Sequence, residues 1–297
     1  MKITLKNGSS LILKTVGEGK GKELVIENFP SISKLLNTLD KREKNEVMSS
    51  CDSSHTNSKD FSLTSSYEEA CSLLKYGYVD ILEKIEKERK KTLKENSFLI
   101  LPQQTPPINM PIGYIPHVPN AIQNLPNSMI NTIKTPKKAK SISIVYSFGE
   151  SCREEADSFV KAGIALISAI NLIERCGIRT KLSIGFFPST SNSQIVFPTL
   201  TIKNYEDNFN IKKICFPIAH PSMFRRIGFR YCETCPNLKD SEFAWSYGHP
   251  IKEKDFQLLK KELNKTFDTN CYLISFAEIK KYEYKVNKIL NHCNIKY

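Results

Sequence analysis

The run SISIVYS (Ser141–Ser147) empties into a short Ser/Gly loop, FGESCREE, which opens the long apolar stretch DSFVKAGIALISAINLIERCG. A helix over Glu154–Arg175 with so little polar surface must be wedged between a sheet and other elements. Ala162 and Gly163 would let it approach that sheet closely. KLSIGFF and IVFPTLTIK follow as strands joined by the turn-rich PSTSNSQ. EDNFNIKKICFPIAHPSMFRRIGFRY then reads as helical on both sides of a Pro217 break, with Pro221 starting the second helix. A helix around DFQLLKKELNKTF, the strand CYLISF and a closing helix, AEIKKYEYKVNKILNHC, complete the pattern. The order predicts an α/β fold: a mainly parallel sheet with helices on both faces, and an antiparallel edge strand contributed by the hairpin. This core domain is assigned to 141–297.

The chain ahead of it divides by composition. Residues 1–40 predict a small α+β lobe: a hairpin around Asn7-Gly8, the strand KELVIENF, and a helix capped by Ser31. Residues 41–60 are almost devoid of apolar side chains and predict a flexible polar linker. Residues 61–140 predict a helical and Pro-rich segment packed on the core. Within it, Ser65–Glu95 has helical spacing broken at Gly77, and its Glu/Lys-rich end reads as a solvated helix face.

Charge gives the first functional lead. Lys+Arg 43 against Asp+Glu 31 leaves a net +12, which favours acidic partners such as DNA or RNA. A Lys/Asn/Ile-rich composition spread over a solvated surface gives the same total. Nine cysteines, an odd number, argue against a disulfide framework and for a reducing compartment. The first residues alternate polar and apolar without the unbroken run of a signal peptide, and no stretch reads as a membrane span. The expectation is a cytoplasmic protein with no membrane partner.

Three groups of residues are candidate sites. Ser147, Gly149 and Ser151 sit where a strand gives way to a helix, the position at which α/β proteins hold anions or metals. Ser151-x-x-Glu154 is equally the spacing of a capping box. Cys232-x-x-Cys235, with His220 and His249 on either side, has the donors for Zn²⁺; no other cofactor is expected. Arg225, Arg226 and Arg230 predict a phosphate-contacting stripe, seconded by the basic run holding Lys137, Lys138 and Lys140. Tyr247-Gly248-His249-Pro250 reads as a tight turn packed by Trp245. There is no G-x-S-x-G, Walker A, G-x-G-x-x-G or H-E-x-x-H pattern, so no catalytic residue is assigned and catalysis stays an open question.

Two resemblances add to this reading. The β-α-β-β order and the Ser147–Ser151 loop resemble a von Willebrand factor A-like domain; that family's loop is Asp-x-Ser-x-Ser, of which the Asp and one Ser are missing here. FSLTSSYEEACSLLKYGY, IGYIPHVPNAIQNLPNSM, SISIVYSFGES, KAGIALISAINLIERCGIRTKL, HPSMFRRIGF and YGHP resemble an uncharacterised phage and prophage protein family, a domain of unknown function. That resemblance implies a phage or mobile-element origin and a host-cytoplasm location, and transfers no functional residue. The expected function is a non-catalytic binding or assembly module whose favoured partner is nucleic acid. The alternatives are a metal-dependent enzyme acting on nucleic acid or nucleotides, and a protein-only adaptor that docks phage or host proteins through the Pro-rich segment.

Overall fold

A computed structural model of the chain describes residues 2–4, 10–17, 21–95, 108–131, 140–149, 154–266 and 271–295. The expected hairpin turn at Asn7-Gly8 lies outside them, as do Lys137, Lys138 and Ser151.

The strands are β1 (Lys2–Thr4), β2 (Ser10–Val16), β3 (Lys22–Phe29), β4 (Ile108–Met110), β5 (Ile115–Pro116), β6 (Met129–Asn131), β7 (Ser141–Ser147), β8 (Arg179–Gly185), β9 (Ser189–Thr190), β10 (Gln194–Val196), β11 (Thr199–Lys203) and β12 (Cys271–Ser275). Nine of them form one mixed sheet in the order β1-β2-β3-β11-β8-β7-β12, with β10 also on β3 and β9 on β10. β8, β7 and β12 run parallel, β11 runs against β8, and β3 is parallel to both β10 and β11. β10 and β11 are one strand interrupted at Phe197-Pro198. Phe197 N–H still donates to Val25 O at 2.9 Å and Pro198 O accepts from Phe186 N–H at 3.2 Å, so pairing continues across the interruption although proline returns no donor to Phe186.

The α/β class is as expected. Two details differ. β11 is interior, because β3 covers the edge that the hairpin was expected to leave open. The strands β1, β2 and β3 expected in a separate lobe thus continue the main sheet, and the helix Ile32–Lys41 packs in its larger apolar cluster.

The helices are α1 (Ile32–Lys41), α2 (Ser53–Thr56), α3 (Lys59–Ser62), α4 (Tyr67–Tyr76), α5 (Leu82–Glu95), α6 (Val118–Ile122), α7 (Ala156–Arg175), α8 (Ile211–Ala219), α9 (Phe229–Thr234), α10 (Glu242–Ser246), α11 (Glu253–Thr266), α12 (Phe276–Lys281) and α13 (Val286–His292), with a π-helix over Met223–Gly228. Ser31 caps α1, accepting from Lys34 N–H at 3.3 Å. Gly77 ends α4 at a φ of +100°, a conformation that side chains disfavour.

Successive strand residues point to opposite faces, and the core divides accordingly. Ile144, Tyr146 and Ile274 join the larger cluster with α1, α4, α5, α7, α8 and α13. Val145 and Leu273 join a smaller one closed by Phe256, Leu259 and Leu263 of α11. α7 has the length and hydropathy of a membrane span, contrary to the expectation that no stretch has, but 67% of that window is buried inside the fold. Gly163 serves a helix crossing and not the sheet: a Cβ there would fall 2.3 Å from Ala219 Cβ of α8.

Other local expectations shift. α8 continues through Pro217 and stops at His220, just before Pro221. The closing helix is two helices, α12 and α13, separated by Glu283 and Tyr284, both in the left-handed region (φ 56° and 57°). Residues 41–60 are no free linker. Met48 and Ser54 are fully buried, and Asn45 Nδ2 donates to Cys232 O at 2.8 Å and to Cys235 O at 3.0 Å. Within the Pro-rich segment, residues 108–131 carry a small sheet, β4-β6-β5, together with α6, and each of these residues is exposed or half-buried.

Candidate functional site

On α5, Ile85 turns inward and is fully buried, which leaves Lys84, Lys87 and Lys91 on the outer side at helical spacing. α7 packs beside α5 and presents Lys161, Ile164 and Ala165. The turn Glu283–Lys285 and the start of α13 close the other side with Tyr284, Lys285, Val286 and Lys288. The result is a groove of about 660 Å³ walled by three helices, with six lysines and two glutamates, Glu88 and Glu283, among its lining. Among the described residues, Lys161 pairs with Asp157 at 2.7 Å, Lys91 lies 3.9 Å from Glu88, and Lys285 pairs with Glu283, which Lys288 also stabilises electrostatically. All six lysines are exposed, and Ile164, Ala165 and Val286 supply apolar surface between them. The arrangement suits a polyanion that also carries apolar faces.

This groove was not singled out in the sequence. The Lys84/Lys87/Lys91 spacing was visible there but identical to that of a solvated helix, and nothing local says that Lys285 and Lys288 face it.

The arginine cluster is elsewhere and faces inward. Arg226 is fully buried and makes five hydrogen bonds, all to uncharged oxygens: Nε to Thr64 Oγ1 at 3.0 Å, one terminal nitrogen to Ser54 O and His55 O at 3.0 Å each, and the other to Asn57 O and Thr64 O at 2.8 Å each. Arg225 is 2% exposed, donates to Phe61 O and Glu154 O at 2.6 Å each, and stacks 3.9 Å from the Phe61 ring centroid. Arg230 is half-buried near Tyr67 and Cys71 of α4. The expected phosphate stripe is therefore overturned at Arg225 and Arg226. Six of the seven hydrogen bonds just given go to oxygens of the polar segment 54–64, five of them backbone carbonyls, and that segment has too few apolar residues to hold itself against the core. Buried Glu233 completes the clasp, accepting from Ser54 N–H at 3.0 Å, Ser54 Oγ at 2.5 Å and Tyr247 Oη at 2.6 Å. Of the basic run, Lys140 is exposed just ahead of β7.

A second cleft, about 420 Å³, lies beyond the carboxyl ends of β7 and β12. Crossovers diverge there, as at the usual ligand crevice of open α/β sheets. Ser147 and Gly149 line it with Pro188, Glu253, Ser275, Glu278 and Lys281. Gly149 has a packing reason: a Cβ would meet Pro188 Cγ at 2.6 Å. The capping box expected at Ser151-x-x-Glu154 is not the start of α7, whose cap position is Glu155. Glu154 instead pairs with Lys280. A complete capping box occurs at Ser275 and Glu278, where Glu278 accepts from Ser275 N–H at 2.7 Å and Ser275 Oγ from Glu278 N–H at 3.1 Å. Two carboxylates among the lining make the cleft a poor anion receptor.

The zinc donors are not gathered. Cys232 and Cys235 are fully enclosed, and burial pushes both thiols up, opposing the thiolate that zinc needs. His220 is buried between Phe216 and Tyr78, with ring centroids 4.8 Å from each, and its Nδ1 accepts from Ser222 N–H at 3.2 Å. His249 is exposed and 2.8 Å from Glu242. Among the described residues no three His, Cys, Asp or Glu side chains converge as metal ligands. Trp245 does not pack the Tyr247-Gly248 turn, being 90% exposed; Tyr247 stacks on Phe229 at 4.3 Å.

No curated protein and no solved structure matches the chain. One family profile matches residues 12–296, nearly the whole length, and by that match the chain belongs to the family described as Domain of unknown function (DUF7192).

Proposed function

We propose that the protein is a non-catalytic nucleic-acid-binding module and that the α5–α7–α13 groove is its binding surface. The observation that carries this reading is the convergence of Lys84, Lys87, Lys91, Lys161, Lys285 and Lys288 from three helices on one groove. The net +12 of the chain supports it by raising the local concentration of polyanions. The order β11-β8-β7-β12, with β11 opposed to the other three, supports a von Willebrand factor A-like reading of the core. A phage or mobile-element origin belongs to the same proposal and rests on the sequence resemblance given above.

Each lysine–phosphate contact releases condensed counterions, so affinity falls with salt, with a log–log slope of about 0.7 to 0.9 per contact. Lys87→Gln and Lys288→Gln together should lower that slope by about 1.5 and weaken binding near physiological salt. Lys254→Gln, on α11 across the sheet, should change neither. Fluorescence anisotropy titrations at several salt concentrations measure both. Equal slopes for the parent and the double variant would reject the groove as the binding surface.

A second reading, a docking module for proteins, is favoured by the small β4-β6-β5 sheet, where Ile112 and Ile122 are 80% and 77% exposed. Its test is whether polar replacements at Ile112 and Ile122 abolish a protein partner's binding while leaving nucleic-acid affinity intact.

A further inference from the structure

The groove is more than a lysine field, and its non-lysine lining bears on which nucleic acid it takes. Tyr284 is half-buried: it packs against the larger apolar cluster on one side and lines the groove on the other, where Ile164, Ala165 and Val286 are the apolar residues of the lining. Its backbone is held in the left-handed region directly after Glu283, also left-handed, and its N–H donates to Ile279 O at 3.1 Å. Two successive non-glycine residues in that region oppose the local preference. Here they form the turn that separates α12 from α13 and sets Tyr284 at the groove.

Lysines stand on both sides: Lys84, Lys87 and Lys91 on α5, Lys285 and Lys288 at α13. Such walls can track one sugar–phosphate backbone between them. A duplex keeps the faces of its bases inside the stack and offers an aromatic side chain in a groove nothing to pair with. A single strand presents its bases free to stack on such a ring.

We propose that the groove takes single-stranded nucleic acid, with a base stacked on Tyr284 and the flanking phosphates held by the lysines of α5 and α13. This rests on the proposed function and narrows its substrate class. Stacking and charge then separate experimentally, because stacking sets an affinity that salt does not change, whereas the lysines set the salt slope.

The probes are an oligothymidine of about 12 nucleotides, an abasic strand with the same number of phosphates, and a hairpin duplex of equal charge. Binding to the full chain is followed by anisotropy at several salt concentrations. The expected result is that oligothymidine binds more tightly than either other probe, by about 5- to 150-fold over the abasic strand, which corresponds to one stacked base. Tyr284→Phe should bind as the parent does. Tyr284→Leu should lose most of the preference for oligothymidine over the abasic strand, with the salt slope unchanged. The abasic comparison uses the unaltered protein, so it decides the matter even if Tyr284→Leu fails to fold. Equal affinity for oligothymidine and the abasic strand, or tighter binding of the hairpin, overturns the single-strand proposal. If lysine replacements still lower the salt slope in that case, the proposed function stands; if they do not, both fall together.

Discussion

His220 carries its imidazole between Phe216 and Tyr78 with Nδ1 accepting a backbone N–H, and burial lowers its pKa from 6.5 to about 4. The folded protein therefore keeps the ring neutral where the unfolded chain binds a proton. Stability from this source is complete above pH 6.5 and is lost as pH falls toward 4, by about 3 kcal/mol over that window. His220→Asn keeps an acceptor for Ser222 N–H in an Asx-turn, and urea denaturation between pH 7 and 4 should show a flatter stability profile than the parent. The same residue shows why the donors expected for zinc do not converge. A histidine near a Cys-x-x-Cys pair looks like a ligand in a sequence, but Cys232 and Cys235 face Tyr231, Asn45 and the core, and no local pattern announces that.

The π-helix over Met223–Gly228 is the element that holds the polar segment down. Its wider turn removes the i,i+4 face on which Arg226 and Arg230 were expected to align. Arg226→Lys supplies three donors against the five hydrogen bonds now made, leaving oxygens of residues 54–64 buried without a partner. The expected cost is about 3 kcal/mol or more by chemical denaturation. Strands and most helices were legible because apolar spacing reports burial: β7, β12, α1, α4 and α11 lie close to where the pattern put them. The capping boxes were not, since Ser151-x-x-Glu154 and Ser275-x-x-Glu278 are spelled alike. Only where the helix starts distinguishes them, at Ala156 in one case and at Phe276 directly after β12 in the other.

The whole sheet depends on a pairing that periodicity cannot reveal, that of β3 with β10 and β11. Residues 1–40 looked like a lobe because their partners lie far along the chain. A chain beginning at Lys41 would lose Leu24, Val25, Ile26 and Phe29 from the two apolar clusters and leave β11 a bare edge. It should show no cooperative thermal transition by circular dichroism. The candidate groove was illegible for the same reason, being assembled from helices whose contacts are long-range. If the groove binds nucleic acid as proposed, that assembly has a consequence for when binding can begin. During synthesis Lys84, Lys87 and Lys91 leave the ribosome long before Lys285 and Lys288, and domains form as their segments emerge. On that proposal, a nascent chain that has folded α5 against α7 presents two of the three walls and four of the six lysines but no Tyr284, so binding of the RNA beside it would wait for the last helix to dock.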